Sequence, residues 1–202
     1  MIPARFGDGR RRRIGLLGGS LNPAHAGHIH VARQSMRALG LDQVWLMVSP
    51  GNPLKPRAGM APLPARLAGA RRLADGRRVI ATDIERVLGT RFTADTLAKL
   101  RRRFPRAAFV FLIGADNLVQ LPRWKSWRRI AASTPLAVLP RPGWTRQALH
   151  GAAASVLRRQ RCRPGALLAG AKRATRQAKW CFVSAREHAA SATAIRAAAL
   201  HP

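Results

Sequence analysis

Acidic residues are scarce in this chain: 8 Asp and Glu stand against 37 Lys and Arg, a formal net charge of +29. A balance of that sign points to a polyanionic partner, either nucleic acid or a nucleotide with several phosphates. The arginines are spread through every segment of the sequence rather than gathered on one arm. Pairs such as Arg128-Arg129 and Arg158-Arg159 fall in or beside helical patterns, where long charged side chains form a solvated face. Cysteine is nearly absent, and Cys162 and Cys181 lack metal-type spacing, so they read as incidental reduced thiols of a cytosolic protein. Long apolar runs are missing too. Nothing approaches the ~18 residues of a membrane span, and the arginine run 10–13 precedes only a handful of apolar residues, unlike a signal peptide. A cytoplasmic location with no membrane contact is therefore expected. No internal repeat or linker composition divides the 202 residues, 47% of them hydrophobic. The expectation is a single domain over 1–202 whose first 12 residues form a basic, flexible segment.

What is present is an alternation of short apolar runs and helical patterns, the signature of a mostly parallel sheet covered on both faces. Strands are expected at 14–17, 44–48, 78–81, 108–113, 136–139 and 180–183. Helices are expected near 27–38, 63–74, 94–104, 127–132, 146–159 and 193–200. The fold class is α/β, a Rossmann-like doubly wound sheet. Ligands bind such sheets outside the carboxyl ends of the strands.

The segment after the first strand is the most informative: Gly18-Gly19-Ser20-Leu21-Asn22-Pro23-Ala24-His25-Ala26-Gly27-His28. A strand feeding a glycine turn and then a helix brings backbone N–H groups and a helix N-terminus onto an anion. It is neither the G-x-G-x-x-G of dinucleotide-binding enzymes nor a P-loop, which requires Gly-Lys-Ser/Thr. Instead of a lysine it offers His25 and His28, three residues apart and so on one helix face. Imidazole N–H groups donate to phosphate oxygens, and an imidazolium would add positive charge where phosphorus gathers negative charge. Other strand ends carry unusual loops: Asn52-Pro53-Leu54-Lys55, Gly114-Ala115-Asp116-Asn117 with Trp124 beyond it, and Arg141-Pro142-Gly143.

Gly-Gly-Ser-x-Asn-Pro-x-His-x-Gly-His resembles the signature of the HxGH nucleotidyltransferase superfamily. Asn52 to Lys55, Phe92 to Leu97, Gly114 to Leu118 with Trp124, Arg141 to Gly143 and Ser191 to Arg196 follow in the order seen in bacterial nicotinate-nucleotide adenylyltransferases. The resemblance runs from Ile14 to Arg196. It implies adenylyl transfer from ATP to nicotinate mononucleotide, giving nicotinate adenine dinucleotide and pyrophosphate, with Mg²⁺ carried on the phosphates. Under it His25, His28 and Arg196 are the expected catalytic residues. Gly18, Gly19, Ser20, Gly114, Asp116, Ser191 and Thr193 hold ATP, and Asn52, Lys55, Thr93, Trp124 and Arg141 hold the acceptor. No protein metal ligands are implied. Trp124 offers a flat face to the pyridine ring, and Thr93 a hydroxyl and a helix N-terminal amide to its carboxylate. Leu21 departs from the family pattern, standing where Phe is usual.

Two other readings compete. One is transfer to another phosphorylated acceptor such as phosphopantetheine, against which the chain's size, Thr93 and Trp124 speak. The other is a basic nucleic-acid-binding protein on the same fold, which is not favoured. The oligomeric state is left open.

Overall fold

The structure is a computed structural model that describes residues 3–4, 7–51, 59–169, 178–188, 190, 192 and 195–196. Six strands form one sheet: β1 (Arg13–Gly19), β2 (Gln43–Val48), β3 (Val79–Thr82), β4 (Ala108–Gly114), β5 (Leu136–Leu139) and β6 (Trp180–Phe182). Every pairing is parallel and the order is β3-β2-β1-β4-β5-β6. The order reverses between β1 and β4, and the crevice beyond their carboxyl ends is where such sheets bind ligands.

Two-residue periodicity sorts the strand side chains between two buried layers. Ile14, Leu16, Trp45, Met47, Phe109, Phe111 and Ile113 enter one. Leu17, Val44, Leu46, Val48, Val110 and Leu112 enter the other. The second layer is covered by α1 (Ala26–Leu39) and α2 (Leu63–Leu73). In α1 the buried residues Ala32, Ser35, Met36 and Leu39 recur at the spacing of one helix face, and Gly40 ends the helix in the left-handed conformation. The first layer is covered by α3 (Ile84–Val87), α4 (Thr93–Arg103), α5 (Ala115–Gln120), α6 (Trp127–Ser133), α7 (Thr145–Leu149) and α8 (Ala152–Val156).

The strands and the first four expected helices agree with the sequence reading within two residues. The helix expected over 146–159 does not form as one piece. It breaks into α7, α8 and a short 3₁₀ turn, because Gly151 adopts an extended backbone as the N-cap of α8. Helices α3 and α5 were not expected. Each is short and follows directly from a strand, so neither has length enough to show a helical period. Of the last expected helix, Ala192, Ile195 and Arg196 are helical and the rest lies outside the described residues. No helix among the described residues is long and apolar enough to cross a membrane. The two cysteines, far apart in sequence, come to neighbouring extended segments, since the Cys162 N–H donates to the Trp180 carbonyl at 2.8 Å. Both thiols are free, and burial pushes Cys181 up to about 12.

Candidate active site

The loop leaving β1 is held by backbone contacts before any ligand is considered. Asn22 donates from Nδ2 to the Gly59 carbonyl at 2.9 Å, and its Oδ1 accepts from the Ala61 N–H at 3.3 Å. Leu21, the residue that departs from the family pattern, is buried with φ at +45°. It therefore packs beneath the turn.

His25 is the N-cap of α1 and His28 its third residue. Together they form a capping box made of two imidazoles. His25 Nδ1 accepts from the Gly27 N–H at 3.2 Å, and His28 Nδ1 accepts from the His25 N–H at 3.2 Å. An amide N–H can only donate, so His25 Nδ1 is an acceptor and that ring carries its proton on Nε2, whereas His28 Nδ1 lies against both the N–H and, at 3.3 Å, the carbonyl of His25. The rings lie 4.0 Å apart, centroid to centroid. Gly27 is what permits this: a Cβ there would stand 2.9 Å from the His25 ring and 3.3 Å from the Ala190 carbonyl.

Burial lowers the pKa of both histidines. His28 falls to about 4, with the His25 ring and the Arg141 guanidinium adding to the effect of desolvation. His25 is lowered by burial first, then by Arg141 and His188. Both rings are therefore neutral at physiological pH, and a neutral imidazole still donates one N–H to a phosphate oxygen.

A cavity of about 330 Å³ opens beside this loop. Gly18, Gly19 and Ser20 form one wall, and Phe92, Thr93, Phe111 and Trp124 line it further in. Trp124 is half-buried and set edge-on to Phe111 at 6.1 Å between ring centroids. Thr93 is the first residue of α4, an 11-residue helix with no side-chain cap at its N-terminus. Gly114 ends β4, and a Cβ there would meet Asp116 Oδ1 at 2.3 Å, so the glycine leaves room for that carboxylate. Asp116 Oδ1 is buried without a hydrogen-bond partner. A buried acceptor left unpaired is costly, so this oxygen is set for a donor from outside the chain.

The remaining expected site residues fall as follows. Arg196 donates to the Asn22 carbonyl, which ties the end of the chain to the first loop. Arg141, expected among the acceptor contacts, stands on the histidine side, close enough to perturb both rings, and not in the cavity wall with Thr93 and Trp124. Asn52, Lys55, Ser191 and Thr193 lie outside the described residues. Among the described residues no three His, Cys, Asp or Glu side chains gather as metal ligands.

Sequence reasoning missed two residues. Arg66 on α2 is buried, and its guanidinium donates to the carbonyls of Ser20 at 2.6 Å, Ser49 at 2.8 Å and Ala61 at 2.8 Å. One side chain thereby clamps the segments following β1 and β2. The signal available was a charged residue beside Leu67 on the face of α2 that Ala70 also shares. Glu85, on α3, is buried in the cavity wall. Burial pushes its carboxyl above the usual range, partly offset by hydrogen bonds from Ser49 and Thr96.

A parallel sheet whose order reverses beside the paired histidines, with an aromatic cavity at the same strand end, is the arrangement of a chain whose relatives are nucleotidyltransferases. Residues 16–198 match the cytidylyltransferase-like family. A relative from Gluconobacter oxydans, named "Probable nicotinate-nucleotide adenylyltransferase", is 61% identical over 186 residues, 91% of this chain and 93% of its own. One of the same name from Gluconacetobacter diazotrophicus is 55% identical over 199 residues, 98% of this chain and 91% of its own. The chain belongs to the nicotinate-nucleotide adenylyltransferase family. The fold is shared with Plasmodium falciparum nicotinic acid mononucleotide adenylyltransferase complexed with NaAD, at TM-score 0.65 and 13% identity, over 92% of this chain and 83% of that one.

Proposed function

We propose that this chain transfers the adenylyl group of ATP to nicotinate mononucleotide, forming nicotinate adenine dinucleotide and pyrophosphate. The observation that carries the reading is that Gly18 to Ser20 both wall the aromatic cavity and lead into the paired histidines. Two substrates held on either side of the end of β1 would thus meet there. A phosphate oxygen of the acceptor attacks the α-phosphorus of ATP, a P–O bond forms, and the bond from that phosphorus to the oxygen bridging to the β-phosphate breaks. Such a displacement asks for alignment and charge stabilisation and needs no covalent bond to the protein.

His25 and His28 supply neutral imidazole N–H donors to the α-phosphate oxygens. As negative charge accumulates there, the incoming anion favours the protonated rings and works against the lowering of their pKa values. The unpaired Oδ1 of Asp116 accepts from a ribose hydroxyl of the nucleotide. Arg196 supplies a cation to the outer phosphates, and Ser191 and Thr193 are the further residues assigned to ATP. Mg²⁺ enters on the triphosphate, where phosphate oxygens and water are adequate ligands. On the acceptor side Trp124 stacks on the pyridine ring, and Thr93 receives the carboxylate at the N-terminus of α4. Lys55 and Arg141 contact substrate phosphates, and Asn52 is a further contact to the acceptor. The reaction takes place in the cytoplasm.

The test is pyrophosphate release from ATP and Mg²⁺ with nicotinate mononucleotide, nicotinamide mononucleotide or phosphopantetheine as acceptor. Turnover fastest with the acid mononucleotide is expected. No turnover with either mononucleotide overturns the assignment, and preference for phosphopantetheine transfers it to another acceptor class.

A further inference from the structure

The carboxyl ends of the strands carry the proposed site, and a separate group of arginines gathers at the other end of the sheet. In an all-parallel sheet every strand begins, and the helix before it ends, at the same edge. Arginines that are scattered along the sequence are gathered there by the topology. The run 10–13 leads into β1, the pair 77–78 leads into β3, and Arg106 precedes β4. The last turns of α1, α2 and α4 add Arg37, Arg71, Arg72 and Arg102, all exposed. Backbone bonds fix these segments side by side: Ala108 N–H donates to the Arg12 carbonyl, Asp42 N–H to Arg13 and Val44 N–H to Arg78, at 2.8–2.9 Å.

The carboxylates at this end are turned to the backbone. Asp75 Oδ1 accepts from the N–H groups of Arg77, Arg78 and Val79 at 2.8–2.9 Å. Asp42 Oδ2 accepts from the Arg13 N–H at 2.7 Å, and Asp8 from the Arg10 N–H at 3.0 Å, with a further ion pair to that side chain at 3.5 Å. They brace turns more than they offset charge.

This face does not serve the substrates of the proposed reaction. Strands of this length hold it roughly 20 Å from the histidine loop at about 3.3 Å per residue, well over twice the ~8 Å screening length of physiological salt. The forked, permanently charged guanidinium suits phosphate oxygens. Strands β3, β2, β1 and β4 alone span about 14 Å at ~4.8 Å per spacing, comparable to about four base pairs of a duplex at 3.4 Å each. No aromatic side chain is exposed at this end among the described residues, because Trp45, Phe104 and Phe109 stack on one another inside. A platform for single-stranded bases is thus lacking. The large apolar side chains exposed toward this end among the described residues, Leu73 and Val156, are too few for insertion into a lipid surface.

We propose that this face binds the phosphodiester backbone of duplex nucleic acid without reading its sequence. The full chain is titrated against a fluorescently labelled 20-base-pair DNA of mixed sequence between 50 and 300 mM NaCl. A log–log salt slope of about −4 to −5 is expected, as for some five phosphates at ~0.9 each. The triple variant R71E/R77E/R102E should weaken binding at least tenfold while pyrophosphate release is unchanged. R71Q/R77Q/R102Q provides the same test with a milder change, should the reversals fail to fold. R33E/R128E/R146E carries an equal charge change on the bodies of α1, α6 and α7, away from this face, and should cost less than threefold. Equal losses in the two reversal triples would reduce the effect to net charge and overturn the proposal. So would absence of salt-dependent binding, or tighter binding to phosphatidylserine vesicles or to inorganic polyphosphate at the same salt. Catalytic failure of the unaltered chain leaves this test intact, since its readout is binding.

Discussion

The two halves of the site are held by different forces. The histidine half is a hydrogen-bonded device: two rings oriented by two amides, on a loop clamped by one guanidinium. The cavity half, proposed above to take the acceptor, is a packed device: an indole set against a phenyl ring in a cavity whose shape comes from α4 and the 3₁₀ turn before Trp124. Hydrogen bonds fix direction, which a displacement at phosphorus requires. Packing fixes a slot, which recognition of a flat ring requires. Damage to the first half should therefore appear in turnover, and damage to the second in acceptor affinity.

The largest expected effect is that of His28→Ala, a fall in kcat of about 10²- to 10³-fold, as for loss of one donor aimed at developing charge. KM for both substrates should move far less, and steady-state kinetics would show the split. An unchanged kcat would remove His28 from the chemistry.

Next is Arg66→Met, which leaves the carbonyls of Ser20, Ser49 and Ala61 without their donor inside the protein. Unpaired buried acceptors cost about 1–3 kcal/mol each, so with partial relaxation a loss of about 2–3 kcal/mol is expected in denaturant unfolding. Because the clamp joins both segments, kcat and KM should deteriorate together, and damage confined to one of them would show that the halves are not coupled through it. Trp124→Ala is the smaller, one-sided break. KM for nicotinate mononucleotide should rise about tenfold, consistent with a lost aromatic contact, while KM for ATP stays within about twofold.

The remaining effect is on the pH dependence of stability. His28 titrates near 6.5 when unfolded and about 4 in the fold, so between those values the unfolded chain binds more protons. Its contribution to stability is present in full above pH 6.5 and is lost as pH falls toward 4. Urea midpoints measured from pH 7 to 4.5 should decline, and His28→Asn should flatten part of the slope. An identical slope in the variant would mean that His28 is not the group responsible.

These differences also explain what could be read in the sequence. The histidine loop was legible because strand, glycines and both rings are consecutive, and local geometry alone brings them together. Thr93 and Trp124 were legible through family resemblance, and the fold brings them to one cavity although they lie far apart in the chain. Arg66 was hidden because its partners are backbone carbonyls, which every residue has, in segments 46 and 17 positions away. Glu85 was hidden for a similar reason, since nothing local marks the carboxyl of a one-turn helix as buried. The place of Arg141 beside the histidine loop depends on where β5 sits in the sheet, which chain order alone does not give. The arginines looked dispersed for the same reason, since a parallel sheet gathers positions that the chain separates.

Gly27 shows how little room the histidine half has to spare. The space a methyl group would take is already claimed on one side by the His25 ring and on the other by the Ala190 carbonyl. A bare hydrogen at this position therefore acts as a gauge block between the first loop and the chain's closing segment. Any wider spacer would tilt the ring and lift that segment in the same movement, so the tolerance of the machine is set at a residue that performs no chemistry.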